Sequence, residues 1–136
     1  MFKVVKMRGG LGNQMFIYAF YLSLKKKYPL SIINLDILDS WFAHSGYDIF
    51  QVFQLKNKKS YKFYRRQLKF YSVFNTKYFF KNIEEHHNDY YFFNSKYLQT
   101  NFLFSIYDGF WQSEKYFKSI ESEIKNIFKF NLDKLN

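Results

Sequence analysis

Residues able to do chemistry crowd near the N-terminus, in Met7-Arg8-Gly9-Gly10-Leu11-Gly12-Asn13-Gln14-Met15-Phe16. Before them runs Phe2-Lys3-Val4-Val5-Lys6-Met7, short and β-leaning; after them residues 15–28 are apolar at helical spacing. A strand, a glycine-rich turn and a helix in that order bring backbone N–H groups to a helix N-terminus. Those groups and the helix dipole attract an anion, most often a phosphate. Glycine allows φ > 0 and lets a ligand come close to the backbone. The spelling is neither of the common phosphate loops. G-x-G-x-x-G begun at Gly10 needs glycine at 15, where Met15 stands, and no Gly-Lys-Ser/Thr of a P-loop follows. A tight turn without a ligand fits the glycines alone equally well.

Other candidates are scattered. Asp36, at the end of a second strand, stands where a dinucleotide domain binds a ribose hydroxyl, and with Gly10 and Gly12 it defines a small dinucleotide-binding protein as one alternative. A polar residue where a strand leaves its sheet is the simpler account of Asp36. His44 lies in a loop, where a histidine either contacts a ligand or, more commonly, faces water. The pair His86-His87 has no third ligand at suitable spacing, so no metal site is expected. A second alternative is a basic binding module. From Lys56 to Lys81 there are nine Lys or Arg and no acidic residue, interleaved with Tyr61, Phe63, Tyr64, Phe70, Tyr71, Phe74, Tyr78 and Phe79. Such a segment suits single-stranded nucleic acid, an anionic lipid surface or a solvated helical hairpin, and the last is favoured. The rest of the chain is close to neutral, with 12 basic and 11 acidic residues. The net charge of +10 therefore belongs to one segment.

The elements that must position these groups read as α/β. Residues 3–7 form a first, central parallel strand, 9–13 the turn, and 15–28 a helix with Met15, Phe16, Ala19, Phe20, Leu22 and Leu24 inward. Lys25-Lys26-Lys27 suit the helix C-terminus and Pro29 stops it. Residues 31–37 make the second strand of a β-α-β unit, whose crossover should be right-handed. Residues 47–55 suggest a short helix with Ile49, Val52 and Phe53 inward, 84–88 a polar connector, 90–93 a candidate strand and 101–107 a better one. From Ser113, a plausible N-cap, a helix carries Phe117, Ile120, Ile124, Ile127 and Phe128 on one face. A chain of 136 residues suits one domain, here a Rossmann-like parallel sheet with flanking helices and residues 56–88 as a basic, aromatic helical insert. No cysteine is present, and the longest uncharged apolar stretches are too short to span a bilayer. No signal-peptide pattern opens the chain, so a cytoplasmic protein is expected, with peripheral contact at the inner membrane face open. With aromatic residues at 25%, some rings must lie exposed or face a partner surface.

Three segments carry a resemblance. Gly9-Gly10-Leu11-Gly12-Asn13-Gln14-Met15-Phe16, followed by Tyr18-Ala19-Phe20, closely resembles the N-terminal motif GGLGNQMFQYA of the family 11 glycosyltransferases, the α-1,2-fucosyltransferases, departing by Ile17. Gly46-Tyr47-Asp48-Ile49-Phe50-Gln51-Val52-Phe53 looks like that family's G-[YF]-x-L-x-x-[IV]-F segment. Asp108-Gly109-Phe110-Trp111-Gln112-Ser113-Glu114-Lys115-Tyr116-Phe117 is similar to its G-[YF]-[WF]-Q-S-E-K-Y-F segment. The resemblance implies the N-terminal half of a two-domain GT-B enzyme. That enzyme moves fucose from GDP-fucose to the 2-hydroxyl of a galactoside, with inversion and no obligatory metal or other cofactor. It also implies that Gly9, Gly10, Leu11, Gly12, Asn13 and Gln14 border the nucleotide sugar, Asn13 foremost, with Gln112 near substrate; His44, outside the matched segments, is a further candidate for acceptor or sugar. Gln112 and its neighbours fit helix capping nearly as well. The family's His-x-Arg-Arg-x-Asp motif is not spelled here: the pair Arg65-Arg66 lacks both its histidine and its aspartate. The expectation is a truncated or split enzyme, inactive alone, whose partners are a C-terminal donor-binding domain, GDP-fucose and a galactoside, with no specific nucleic acid. No catalytic base is assignable from the sequence.

Overall fold

The computed structural model describes residues 1–34, 48–56 and 80–130. Strand β1 (Phe2–Lys6) lies inside a four-stranded parallel sheet with β2 (Ile32–Asn34), β3 (Phe80–Glu84) and β4 (Phe104–Asp108), in the order β2-β1-β4-β3. Val4 and Val5, β-branched and fully buried, give β1 the continuous apolar character of a strand covered on both faces. In register, Val4 faces Ile32 on one side and Ile106 on the other, and Glu84 at the far edge faces Asp108. The fold is an α/β, Rossmann-like sheet with flanking helices.

Helix α1 (Leu11–Lys27) starts four residues before the expected position. Gly10 is its extended N-cap, and Gly12 follows in the first turn. The helix is covered on more than one side. Ile17, Phe20 and Leu24 join the main core, whereas Ala19 packs with Ile120 and Ile124 of the C-terminal segment. Of the residues read as inward, Ala19, Phe20 and Leu24 are buried and Met15, Phe16 and Leu22 half-buried; Ile17 and Gln14, not among them, are fully buried.

Several expectations are corrected. Helix α2 (Asp48–Val52) turns Ile49 and Phe53 inward, but Val52 outward. Residues 80–84, read as the end of a helical insert and the start of a connector, are strand β3, with Ile83 buried between exposed Asn82 and Glu84. Residues 57–79 of that insert lie outside the described residues, as do 35–37 of the second strand. Residues 90–93 are turns rather than a strand, because His86 and Asn94 side chains bond backbone N–H groups and close 3-10 turns at His87–Asp89 and Ser95–Tyr97. The helix expected from Ser113 opens as two 3-10 turns, Glu114–Tyr116 and Lys118–Ile120, before α3 (Glu121–Ile127), and the Ser113 hydroxyl caps nothing.

At the centre sits Trp111, fully buried. It is stacked on Phe20 at 4.3 Å and meets Tyr97, Tyr107 and Tyr116 edge-on. Offset stacks and edge-to-face pairs are the arrangements ring quadrupoles favour. Below the sheet, the buried Lys3 ammonium donates to Thr100 Oγ1, the Phe102 carbonyl and Ser105 Oγ at 3.0–3.1 Å. All three donors are used. Burial, and then Lys27, lower its pKa to about 8.

Candidate functional site

Parallel α/β sheets bind ligands outside the carboxyl ends of their strands, where successive connections run to opposite sides. Here β1 connects to β2 on one side, while β4 and β3 lie on the other, so the crevice is expected at the ends of β1 and β4. Both ends carry a charged residue followed by glycine: Arg8-Gly9 after β1 and Asp108-Gly109 after β4. Arg8 Nη1 lies 3.1 Å from Asp108 Oδ1, and Lys6 Nζ donates to Asp108 Oδ2 at 2.9 Å. The Arg8 guanidinium also covers the Phe110 ring at 4.5 Å. The two turns are thereby tied across the sheet edge.

The first turn stays open. Gly9 has φ +78, and a Cβ there would come 2.7 Å from Asn13 Nδ2, so only glycine fits. Gly12 is exposed, and a Cβ there would meet nothing within 4 Å. The first intrahelical bond runs from Gln14 N to the Gly10 carbonyl, so Leu11, Gly12 and Asn13 present the N–H groups that helix geometry leaves over. No side chain caps them, and no acidic residue sits in that turn. These are the features of an anion site.

The sequence-chosen residues separate here. Asn13 does not cap α1; its Oδ1 accepts from Gln112 Nε2 at 2.6 Å, joining two candidates that are 99 positions apart. Gln14 is turned inward and fully buried. Its Nε2 donates to the Gly9 carbonyl at 2.8 Å and its Oε1 accepts from Ile49 N at 3.2 Å. That buried amide braces the turn from behind. Gly10 and Leu11 are half-buried at the helix entrance. His44 and Asp36 lie outside the described residues.

The second turn is closed by a residue the sequence reading passed over. Glu85, buried just beyond β3, accepts from Phe110 N at 2.7 Å and Trp111 N at 3.1 Å, both on Oε2. Trp111 holds φ 54, a left-handed conformation costly for a large side chain. A Cβ on Gly109 would fall 2.6 Å from Glu85 Cβ, which explains the glycine. Burial pushes the Glu85 carboxyl above the usual carboxylate range, against the pull of the Trp111 and Phe110 N–H groups and Arg8. Glu85 Oε1 and Arg8 Nε are buried without a hydrogen-bond partner among the described residues. Only their spacing along the chain could have hinted at this, and Glu84-Glu85-His86-His87 reads in sequence as a polar connector.

Beside Arg8 the crevice widens to a hollow of about 370 Å³ lined by Arg8, Glu84, Glu85, His86, His87, Tyr90 and Asp108. Among the described residues no group of three His, Asp or Glu is arranged to hold a metal ion, and no helix is long and apolar enough to cross a membrane. Comparison with protein-family models, curated proteins and solved structures returned no match.

Proposed function

We propose that the crevice at the ends of β1 and β4 binds the diphosphate of a sugar nucleotide. On this reading the chain is the N-terminal, Rossmann-like half of a GT-B transferase of the galactoside α-1,2-fucosyltransferase type. One observation carries it: the three segments that resemble that family meet in space. Asn13 bonds Gln112, Gln14 bonds the Ile49 N–H, and Arg8 pairs with Asp108 and covers Phe110. Segments matched separately along the chain thus converge on one open helix N-terminus.

In the reaction so assigned, the acceptor 2-hydroxyl oxygen bonds to the anomeric carbon of fucose as that carbon's bond to the diphosphate oxygen breaks. GDP leaves with the electron pair, and the hydroxyl proton passes to a base. Negative charge gathers on the leaving diphosphate, where preorganised N–H groups stabilise it most effectively. Leu11, Gly12 and Asn13 supply those groups, with Gln14 and Gln112 holding the turn in shape. His-x-Arg-Arg-x-Asp is not spelled in these 136 residues, so the reading assigns this chain binding and positioning, and no transfer by itself.

Calorimetric titration with GDP tests the reading. Gly12→Leu fills open space and should fold normally, yet it should weaken GDP binding roughly tenfold or more by blocking the first-turn N–H groups. Equal affinity in the variant, or no GDP binding by the native chain, contradicts the proposal. So would fucose transfer from GDP-fucose to lactose by the chain alone, for the part that denies it unaided activity.

A further inference from the structure

Asp108, the last residue of β4, is shared by two cations. Lys6 Nζ donates to its Oδ2 at 2.9 Å, while Arg8 Nη1 stands 3.1 Å from its Oδ1. The two contacts differ in kind. Oδ1 is buried and accepts no hydrogen bond among the described residues, so the Arg8 pair is charge attraction without an aligned N–H···O. Arg8 Nε is likewise buried without a hydrogen-bond partner among those residues. A guanidinium makes its strongest contacts as two parallel hydrogen bonds to a carboxylate or a phosphate. Arg8 makes no such pair with Asp108, and rests instead on the face of Phe110 at 4.5 Å.

Position gives this loosely held cation a use. Arg8 directly precedes Gly9, the left-handed glycine that turns the chain into the uncapped start of α1. Its side chain is 32% exposed, so it can reach solvent without unpacking the core. Releasing it strands no charge, because Lys6 still neutralises Asp108. An oxyanion at the open turn would offer the guanidinium what Asp108 does not: two oxygens at the spacing of its fork. Asp108 already sits as such an anion would, with one oxygen toward each cation, and an incoming anion must compete with it. Lys6 and Arg8 lie outside the three segments of resemblance.

We infer that Arg8 is a phosphate-binding arm parked on Asp108, and that Asp108 is an internal competitor that weakens phosphate binding at the α1 turn. This rests on the diphosphate reading of that turn, and the two can fail separately. An arm that must first leave another partner lowers the observed affinity by the fraction of time it is free. A partly exposed ion pair is weak, so the effect is modest. In calorimetry, Asp108→Asn should tighten binding of pyrophosphate and of GDP roughly threefold to fivefold. Arg8→Ala should weaken both roughly tenfold, and Asp108→Asn added to it should gain less than about twofold. An equal gain in both backgrounds would be a general relief of negative charge and overturns the inference. So does unchanged or weaker binding in an Asp108→Asn chain that keeps the native circular dichroism spectrum. The native chain gives a test without any variant. Its Arg8 Nε–Hε resonance should shift saturably as pyrophosphate is added, and a resonance that stays still at saturation refutes the arm. GDP binding with Arg8 unmoved would leave the diphosphate reading standing and the arm refuted. Pyrophosphate binding in the expected order of variants, without GDP binding, would keep the arm and sink the nucleotide reading. If neither ligand binds the native chain, both fail.

Discussion

The turns that leave β1 and β4 begin alike, with a charged residue and a glycine at the same edge of the sheet, and end in opposite states. After β4, the Phe110 and Trp111 N–H groups are both taken by Glu85, Gly109 is wedged against that side chain, and Trp111 fills the core. After β1, Gln14 braces the turn from behind while Gly12 faces open space and the first-turn N–H groups meet no capping side chain. An internal carboxylate satisfies one turn's N–H groups; the other's meet no capping side chain. The two turns are joined through Asn13–Gln112 and Arg8–Asp108.

The largest test of that contrast is Trp111→Ala. Removing a fully buried indole should cost about 3–5 kcal/mol in urea unfolding, enough to threaten a domain of this size. A cost near that of a surface change would show that the β4 turn does not anchor the core. Next, Gly109→Ala should destabilise by about 1–3 kcal/mol, because the new methyl would press on Glu85 and Trp111.

Glu85 gives the contrast a pH signature. Its folded-state pKa is raised above 4.5 by burial, so the carboxyl binds its proton more tightly in the folded chain. The associated stability is present below the unfolded pKa and lost as pH rises through the folded one. Glu85→Gln removes this term, so native stability relative to the variant should fall as pH climbs from 4.5. Urea midpoints across that window check it, and parallel profiles would contradict it.

Smaller effects probe the link between the turns. A double-mutant cycle on Asn13→Ala and Gln112→Ala should return a coupling of about 0.5–1.5 kcal/mol, as for one half-buried hydrogen bond. The smallest effect is the sharpest foil to Gly109. Gly12→Ala should leave stability unchanged or raise it by up to about 1 kcal/mol, since alanine favours helix and nothing obstructs it.

Much of this was readable in the chain. Val4 and Val5 marked a central strand, the glycines a strand-to-helix turn, and residues 101–107 a further strand, which the structure places at Phe104–Asp108 beside the first. The inward face of α1 was misjudged at Ile17 and Gln14, because a helix covered on more than one side shows no single apolar stripe. Strand β3 was missed because Phe80-Lys81-Asn82-Ile83-Glu84 does not alternate, its two apolar residues standing three apart, and because it follows a long basic run. Residues 90–93 read as a strand by their rings, yet the side chains that dictate turns flank them. Asn13 and Gln112 were both singled out, but nothing in their local sequence announces that they touch. Glu85 was invisible as a functional group, since its burial and its two N–H partners come from residues 25 and 26 positions away.

The most direct measurement is a ¹H–¹⁵N titration of the chain with GDP-fucose. The amides of Leu11, Gly12 and Asn13 should shift saturably, while those of Phe110 and Trp111, already held by Glu85, should move little. First-turn amides that stay still at saturating ligand, or shifts centred on Phe110 and Trp111 instead, would contradict the account.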